Sequence, residues 1–213
     1  MEPIDWRRVI SHVFVILILM VPAFTQAEVM VCGNPFENHY GPFDYRTATK
    51  PQRDIVERHH FTADVATLKR GASTIVIGAD ISYTLQVFPN HPRALMAMAD
   101  LARREKTSRP KGSAWDIDCW FTRAMTFRPD DVDVQMIRGI NLLKDGKTRE
   151  AIDQFELLET AKPNNANLQY NLGLAYFAIG DYDRALSSAK MAYALGFPLP
   201  GLRNMLQKSG NWR

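Results

Sequence analysis

Along the second half of the chain, apolar residues recur at helical spacing in paired stretches separated by short polar turns, and the pairs themselves repeat. Gly139, Leu142, Gly146 and Ala151 return as Gly173, Tyr176, Gly180 and Ala185, each displaced by 34 positions, and Pro129 returns as Pro163 at the same displacement. Asp145-Gly146-Lys147 and Gly180-Asp181 break the two units at corresponding places, so each unit predicts a helical hairpin. Asp130-Asp131 and Asn164-Asn165 follow the prolines and supply capping groups where the next helix begins. Neither hairpin has enough apolar partners alone; stacking them supplies a continuous core.

Upstream, Pro89 and Pro129 are 40 positions apart, one repeat plus six. The surplus falls in the charged, breaker-rich stretch Arg103 to Ser113, which predicts an enlarged, solvated turn between a helix over Ala94 to Ala102 and another starting near Ala114. Leu95, Met98, Ala99 and Ala102, then Phe121, Ala124 and Pro129, keep the repeat's spacing. His59 to Arg70 and Ser73 to Phe88 predict a further hairpin, its apolar face broken by Asp64. Pro198 and Pro200 stop the last repeated helix, and Leu199 to Ser209 predicts a helix covering the exposed end. Between Cys32 and Tyr45, Pro35, Gly41 and Pro42 oppose a continuous helix, while Phe36, Tyr40, Phe43 and Tyr45 are costly to leave in water. That composition predicts an extended segment docked on the helices, either capping the first hairpin or occupying the inner face.

Residues 166 to 197 resemble a tetratricopeptide repeat through Leu172-Gly173, Tyr176, Gly180-Asp181-Tyr182, Ala185 and Ala192. The preceding unit matches through Gly139, Leu142, Gly146, Ala151, Phe155 and Pro163; it departs at Gln135 and Arg138, and Gln169 stands in place of the usual tryptophan in the last unit. These departures are expected to loosen individual helix contacts. The resemblance implies an all-α, right-handed superhelical solenoid of about three to four hairpins. Its parts are an extended docking or capping segment at 28–57, a degenerate hairpin at 58–91, a hairpin with an enlarged turn at 92–131, repeats at 132–165 and 166–199, and a C-terminal cap at 200–213.

In this family the inner face of each first helix commonly binds an extended peptide or protein segment. Carried over residue by residue, that face holds Arg93, Met96, Asp100, Arg103 and Arg104, then Asp133, Met136, Ile140, Leu143 and Lys144, then Asn167, Tyr170, Asn171, Leu174 and Phe177. Asn171 matches a family asparagine that holds peptide backbone, whereas Met136 and Ile140 stand where a carboxylate clamp needs polar groups. Packing against a neighbouring helix accounts for the same apolar positions. The implied function is a non-catalytic protein–protein interaction scaffold or adaptor in the cell envelope; the alternative is an accessory subunit docking to, or forming part of, an envelope enzyme or transport complex.

Composition adds a compartment. Arg7 and Arg8 precede the apolar run Val13 to Val21, which ends in Pro22-Ala23-Phe24-Thr25-Gln26-Ala27. This reads as a secretory signal at residues 1–27, because the run is short of the roughly 20 residues a spanning helix needs. The expectation is an exported, periplasmic protein, with anchoring through residues 13–24 as the alternative and membrane contact only in that case. The chain has two cysteines, Cys32 and Cys119, which an oxidising compartment allows to pair or which remain as buried thiols. The net charge of +3 excludes a polyanion-binding tail, and nucleic acid is not an expected partner. His59-His60 point about 100° apart on a helix and make no metal-ligand pair. Neither a phosphate loop nor a nucleophile elbow occurs, so no cofactor, metal or catalytic residue is expected.

Overall fold

The computed structural model describes residues 32–212, so the reading of residues 1–27 as a secretory signal lies outside the described part. Among the described residues there are ten helices and no strand: α1 (Lys50–His60), α2 (Ala63–Ala66), α3 (Ile77–Val87), α4 (Pro92–Glu105), α5 (Ile117–Phe127), α6 (Val132–Lys144), α7 (Thr148–Ala161), α8 (Ala166–Ala178), α9 (Tyr182–Ala194) and α10 (Gly201–Lys208). None is long and apolar enough to cross a membrane. α6 packs on α7 and α8 on α9, α7 joins the two pairs by packing on α8, and α10 covers α8 and α9. The result is a solenoid of helical hairpins.

Local chemistry explains the boundaries. Asp116, Asp131, Asn165 and Asp181 each accept a hydrogen bond from a backbone N–H in the first turn of the following helix. Gly146 and Gly180 turn between paired helices at φ of +77° and +80°, a conformation costly for any side chain bearing Cβ. Gln135 and Gln169 tie their helices back to the preceding loop: each side-chain amide donates to the carbonyl of the proline six residues earlier, Pro129 or Pro163. Their polarity therefore secures the repeat junction instead of loosening it.

Two apolar clusters meet on α6. Val134 and Ile137 belong to a core built with Leu85, Leu95, Met98, Leu101, Trp120 and Phe121. Met136 and Leu142 belong to a second core with Phe155, Leu158, Leu168, Leu172 and Leu202.

The first hairpin differs from expectation. Its opening helix is α1, starting at Lys50, so residues 50–57 are helical and the extended segment is shorter than 28–57. Thr49 and Gln52 form a reciprocal capping box, with Pro51 in the first turn, and α1 packs on α3 together with the short α2. The link to α3 is organised by Asp80. This fully buried carboxylate accepts from Ala72 N at 2.7 Å, Thr74 N at 3.1 Å and Thr74 Oγ1 at 2.9 Å, and lies 3.0 Å from His60 Nδ1. His60 is thus a partner of Asp80, its ring tilted against that of Tyr83, while His59 is exposed.

The enlarged turn is more structured than a solvated loop. Pro110 and Ser113 are buried, Ser113 Oγ accepts from Trp120 Nε1 at 2.9 Å, and Ala114 N donates to Ser82 Oγ at 3.1 Å. α5 consequently starts three residues later than expected, at Ile117.

Residues 32–48 form a strap over the loops between repeats. A disulfide joins Cys32 to Cys119 on α5. Phe36 packs on Phe127, Phe43 and Tyr45 pack on Phe88, and Phe43 N donates to Val87 O at 2.8 Å. Buried Asn90 donates to Asp44 Oδ1 and Asp131 Oδ2 and accepts from Tyr45 N. Asp44 also receives Arg46 and Arg128 at 2.8 and 2.7 Å.

The Arg46 hydrogen bond, reinforced by Asn90 and Arg128 and opposed by burial, holds the Asp44 carboxyl far below its ordinary range. A depressed folded-state pKa adds stability that is fully present above the unfolded carboxylate pKa, about 4, and is lost as pH falls through the folded value. Thermal melts from neutral pH down to about pH 2 should therefore show the wild type losing stability more steeply than Asp44→Asn, with the two curves converging in acid. Parallel curves would remove Asp44 from this role.

Candidate functional site

The first helices α4, α6 and α8 carry the positions assigned to the inner face. At the α4 end the charges are paired with one another. Asp100 accepts from Arg103 at 2.7 Å and Lys144 at 3.2 Å, and Arg103 also donates to Asn141 at 2.6 Å and Asp145 at 2.8 Å. Burial opposes ionisation of Asp100, but the Arg103 and Lys144 hydrogen bonds outweigh it and hold the carboxyl below its usual value. This lattice ties α4 to α6. Arg93 and Met96 are exposed beside it, with the Arg93 guanidinium 5.6 Å above the ring of Phe61.

Toward α8 the surface becomes apolar. Ile140, Leu143, Leu174 and Phe177 are half-buried, each with one flank against the second core. Met136 is buried within that core and presents almost no surface, so packing takes this position from the groove. Asn171 is half-buried, and its amide donates along its own helix to Asn167 O at 2.8 Å. Tyr170 has a partner within the chain: Phe197 stacks on it at 3.9 Å and 18° between ring planes. Burial raises the Tyr170 phenol above its ordinary pKa. The inner face is therefore a polar lattice grading into an aliphatic and aromatic surface whose far end is closed by the chain's own Phe197.

Residues 138–196 match the family model described as tetratricopeptide repeat. The matched stretch runs from within α6 to just past the end of α9 and is similar to tetratricopeptide repeats. The chain is similar to the DnaJ homolog subfamily C member 3 of Rattus norvegicus, 24% identical over 153 residues, covering 65% of this chain and 30% of that protein. It is also similar to the peroxisomal targeting signal receptor of Candida albicans (strain SC5314 / ATCC MYA-2876), 35% identical over 69 residues, covering 32% of this chain and 12% of that protein. The chain thus spans less than a third of the length of the curated relatives it matches. A solved structure, MamA AMB-1 (P212121), superposes with a TM-score of 0.47 at 17% identity, covering 76% of this chain and 82% of the other. Tetratricopeptide repeats in general are non-catalytic protein-interaction scaffolds.

The second helices of these repeats form the opposite side, and their two seams differ. Between α7 and α9 the seam is closed: Tyr176 donates to Glu156 Oε1 at 2.7 Å, and Arg184 lies 4.2 Å above the Tyr176 ring and 3.3 Å from the same carboxylate. Burial, then the Glu156 hydrogen bond, pushes the Tyr176 phenol up to about 12. Between α5 and α7 the seam is a cleft of about 740 Å³. Phe121, Met125, Leu142 and Leu157 line it, with Glu150 and Asp153 on the α7 wall. Arg138, one of the departures noted in the sequence, lies in this cleft, paired with Asp118 at 2.6 Å and 5.2 Å above Phe121. The sequence carries this asymmetry at Thr122, Leu142 and Glu150, each 34 positions before Glu156, Tyr176 and Arg184.

Proposed function

We propose that the chain is a non-catalytic scaffold that holds a peptide or protein segment along the inner face of α4, α6 and α8. The observation that carries this reading is the gradient on that face. A side-chain lattice fixes the helices at one end, and half-exposed Ile140, Leu143, Leu174 and Phe177 remain at the other. Rigid helices present such side chains with little reorganisation cost, so an apolar or aromatic segment with a polar flank gains affinity from a few anchors. Similarity to a protein named as a targeting-signal receptor supports recognition of a short segment. The basic and then apolar composition of residues 1–27, together with a Cys32–Cys119 disulfide suited to an oxidising compartment, supports export to the periplasm as the setting.

A random-peptide selection against the full chain tests the groove. Enriched peptides should carry aliphatic or aromatic anchors, and Leu174→Ala and Asn171→Ala should each weaken their binding about tenfold, in the range of single interface anchors. Melting curves check that both variants fold. Peptides that bind both folded variants as they bind the wild type would overturn the assignment.

A further inference from the structure

The open seam between α5 and α7 has a closed counterpart in the same molecule, and the counterpart shows what is missing. Shifting by 34 positions aligns Thr122, Leu142 and Glu150 with Glu156, Tyr176 and Arg184. In the later seam an aromatic ring fills the space and a cation covers it, neutralised by the neighbouring carboxylate. In the earlier seam the ring is replaced by the shorter Leu142, the cation by the acid Glu150, and the carboxylate by Thr122. Asp153 adds a second acid one turn along α7, and neither acid has an ion-pair partner among the described residues. Among the described residues the cleft holds one cation, Arg138, and it is already paired with Asp118. Leu157 at the rim is 64% exposed, although its neighbours form an apolar floor.

The geometry points to a second docking surface on the side opposite the inner groove, occupied by a basic amphipathic helix of a partner protein. Its large apolar or aromatic side chains take the place that Tyr176 fills in the later seam. Its lysine or arginine side chains pair with Glu150 and Asp153, as Arg184 pairs with Glu156. A helix fits better than a strand because the walls are themselves helices. Their backbone groups are already hydrogen-bonded within α5 and α7, so an extended chain laid between them would bury N–H and C=O groups with no partners.

The probe is a fluorescent synthetic helix with leucine and phenylalanine on one face and lysine on the other, titrated with the full chain at 0.15 M salt and read by anisotropy. A matched helix carrying glutamate in place of lysine is the control. The lysine helix should bind at least tenfold more tightly than its glutamate counterpart. Leu157→Asp should weaken it tenfold or more, as should the pair Leu142→Tyr with Glu150→Arg, which rebuilds the closure of the later seam. Leu174→Ala on the inner face should leave this binding unchanged, so failure here is distinguishable from failure of the groove.

Because Leu157 is exposed, Leu157→Asp should keep the wild-type melting temperature even if the rebuilt seam does not fold. Equal binding of the two helices, binding of neither, or full binding by Leu157→Asp overturns the proposal. Sedimentation that reveals a dimer abolished by Leu157→Asp would assign the cleft to a second copy of the chain and overturn it as well.

Discussion

Replacing Cys32 and Cys119 by serine should lower the stability of the folded chain by about 3 to 5 kcal/mol, the range for a bridge closing a long loop. The two cysteines are 87 positions apart, so the cross-link removes much of the freedom of the unfolded chain. The folded side of the balance is affected too. Arg123 is buried, stacks 3.9 Å from the Trp115 ring and donates to Cys32 O at 2.8 Å, and its Nε has no hydrogen-bond partner. Burial lowers its pKa to about 10. The strap holds this poorly compensated cation in place; without the bridge, strap and guanidinium separate more readily. For a chain of this size, each kcal/mol shifts the melting temperature by about 2 to 4 °C, so a fall on the order of 10 °C is expected. Reductant should lower the wild type to the level of the double variant. A melting temperature insensitive to both reductant and substitution would show that the bridge contributes nothing.

Phe155→Ala should cost about 3 to 5 kcal/mol, the usual penalty for emptying a buried aromatic site. Phe155 is fully buried in the second core, and its ring lies against Gly139 of α6. A methyl group on Gly139 would overlap that ring, so Gly139→Ala should cost about 1 to 3 kcal/mol despite alanine's better helix propensity. The two positions are one packing unit. In a Phe155→Leu background the penalty of Gly139→Ala should shrink, giving a coupling well above 0.5 kcal/mol in a double-mutant cycle measured by chemical denaturation. Strict additivity would mean that α6 and α7 do not rely on this contact.

The same pair shows why the repeats were readable before any coordinates. A glycine is required where helices approach this closely, and it returns 34 positions later in the last repeat. Gly173 repeats the arrangement against Leu202 and Ser188. What the repeat does not encode was not readable in the same way. Asp80 looks like an isolated acid in the sequence, yet it gathers backbone donors from a turn six to eight residues away. α1 was announced only by the Thr49 and Gln52 box, a local signal outside the repeat's register. On the inner face, periodicity marked Met136 and Ile140 alike, because helical spacing reports which side of a helix a residue occupies and not how far a neighbouring helix covers it. Likewise, Tyr170 carried no sign that Phe197, 27 positions later, would stack upon it.

The division of apolar contacts at α6 leaves the molecule mechanically uneven. The half before it is stitched by a covalent bond and by the ionic knot around Asn90 and Asp44, whereas the last two hairpins are joined by packing and by a few side-chain bonds to Glu156 and Glu159, with no covalent link. With no cross-link beyond α6, hydrogen exchange is expected to be faster there than in the half closed by the disulfide. An arm that yields at one end while its base stays clamped can change its curvature without remaking its foundation.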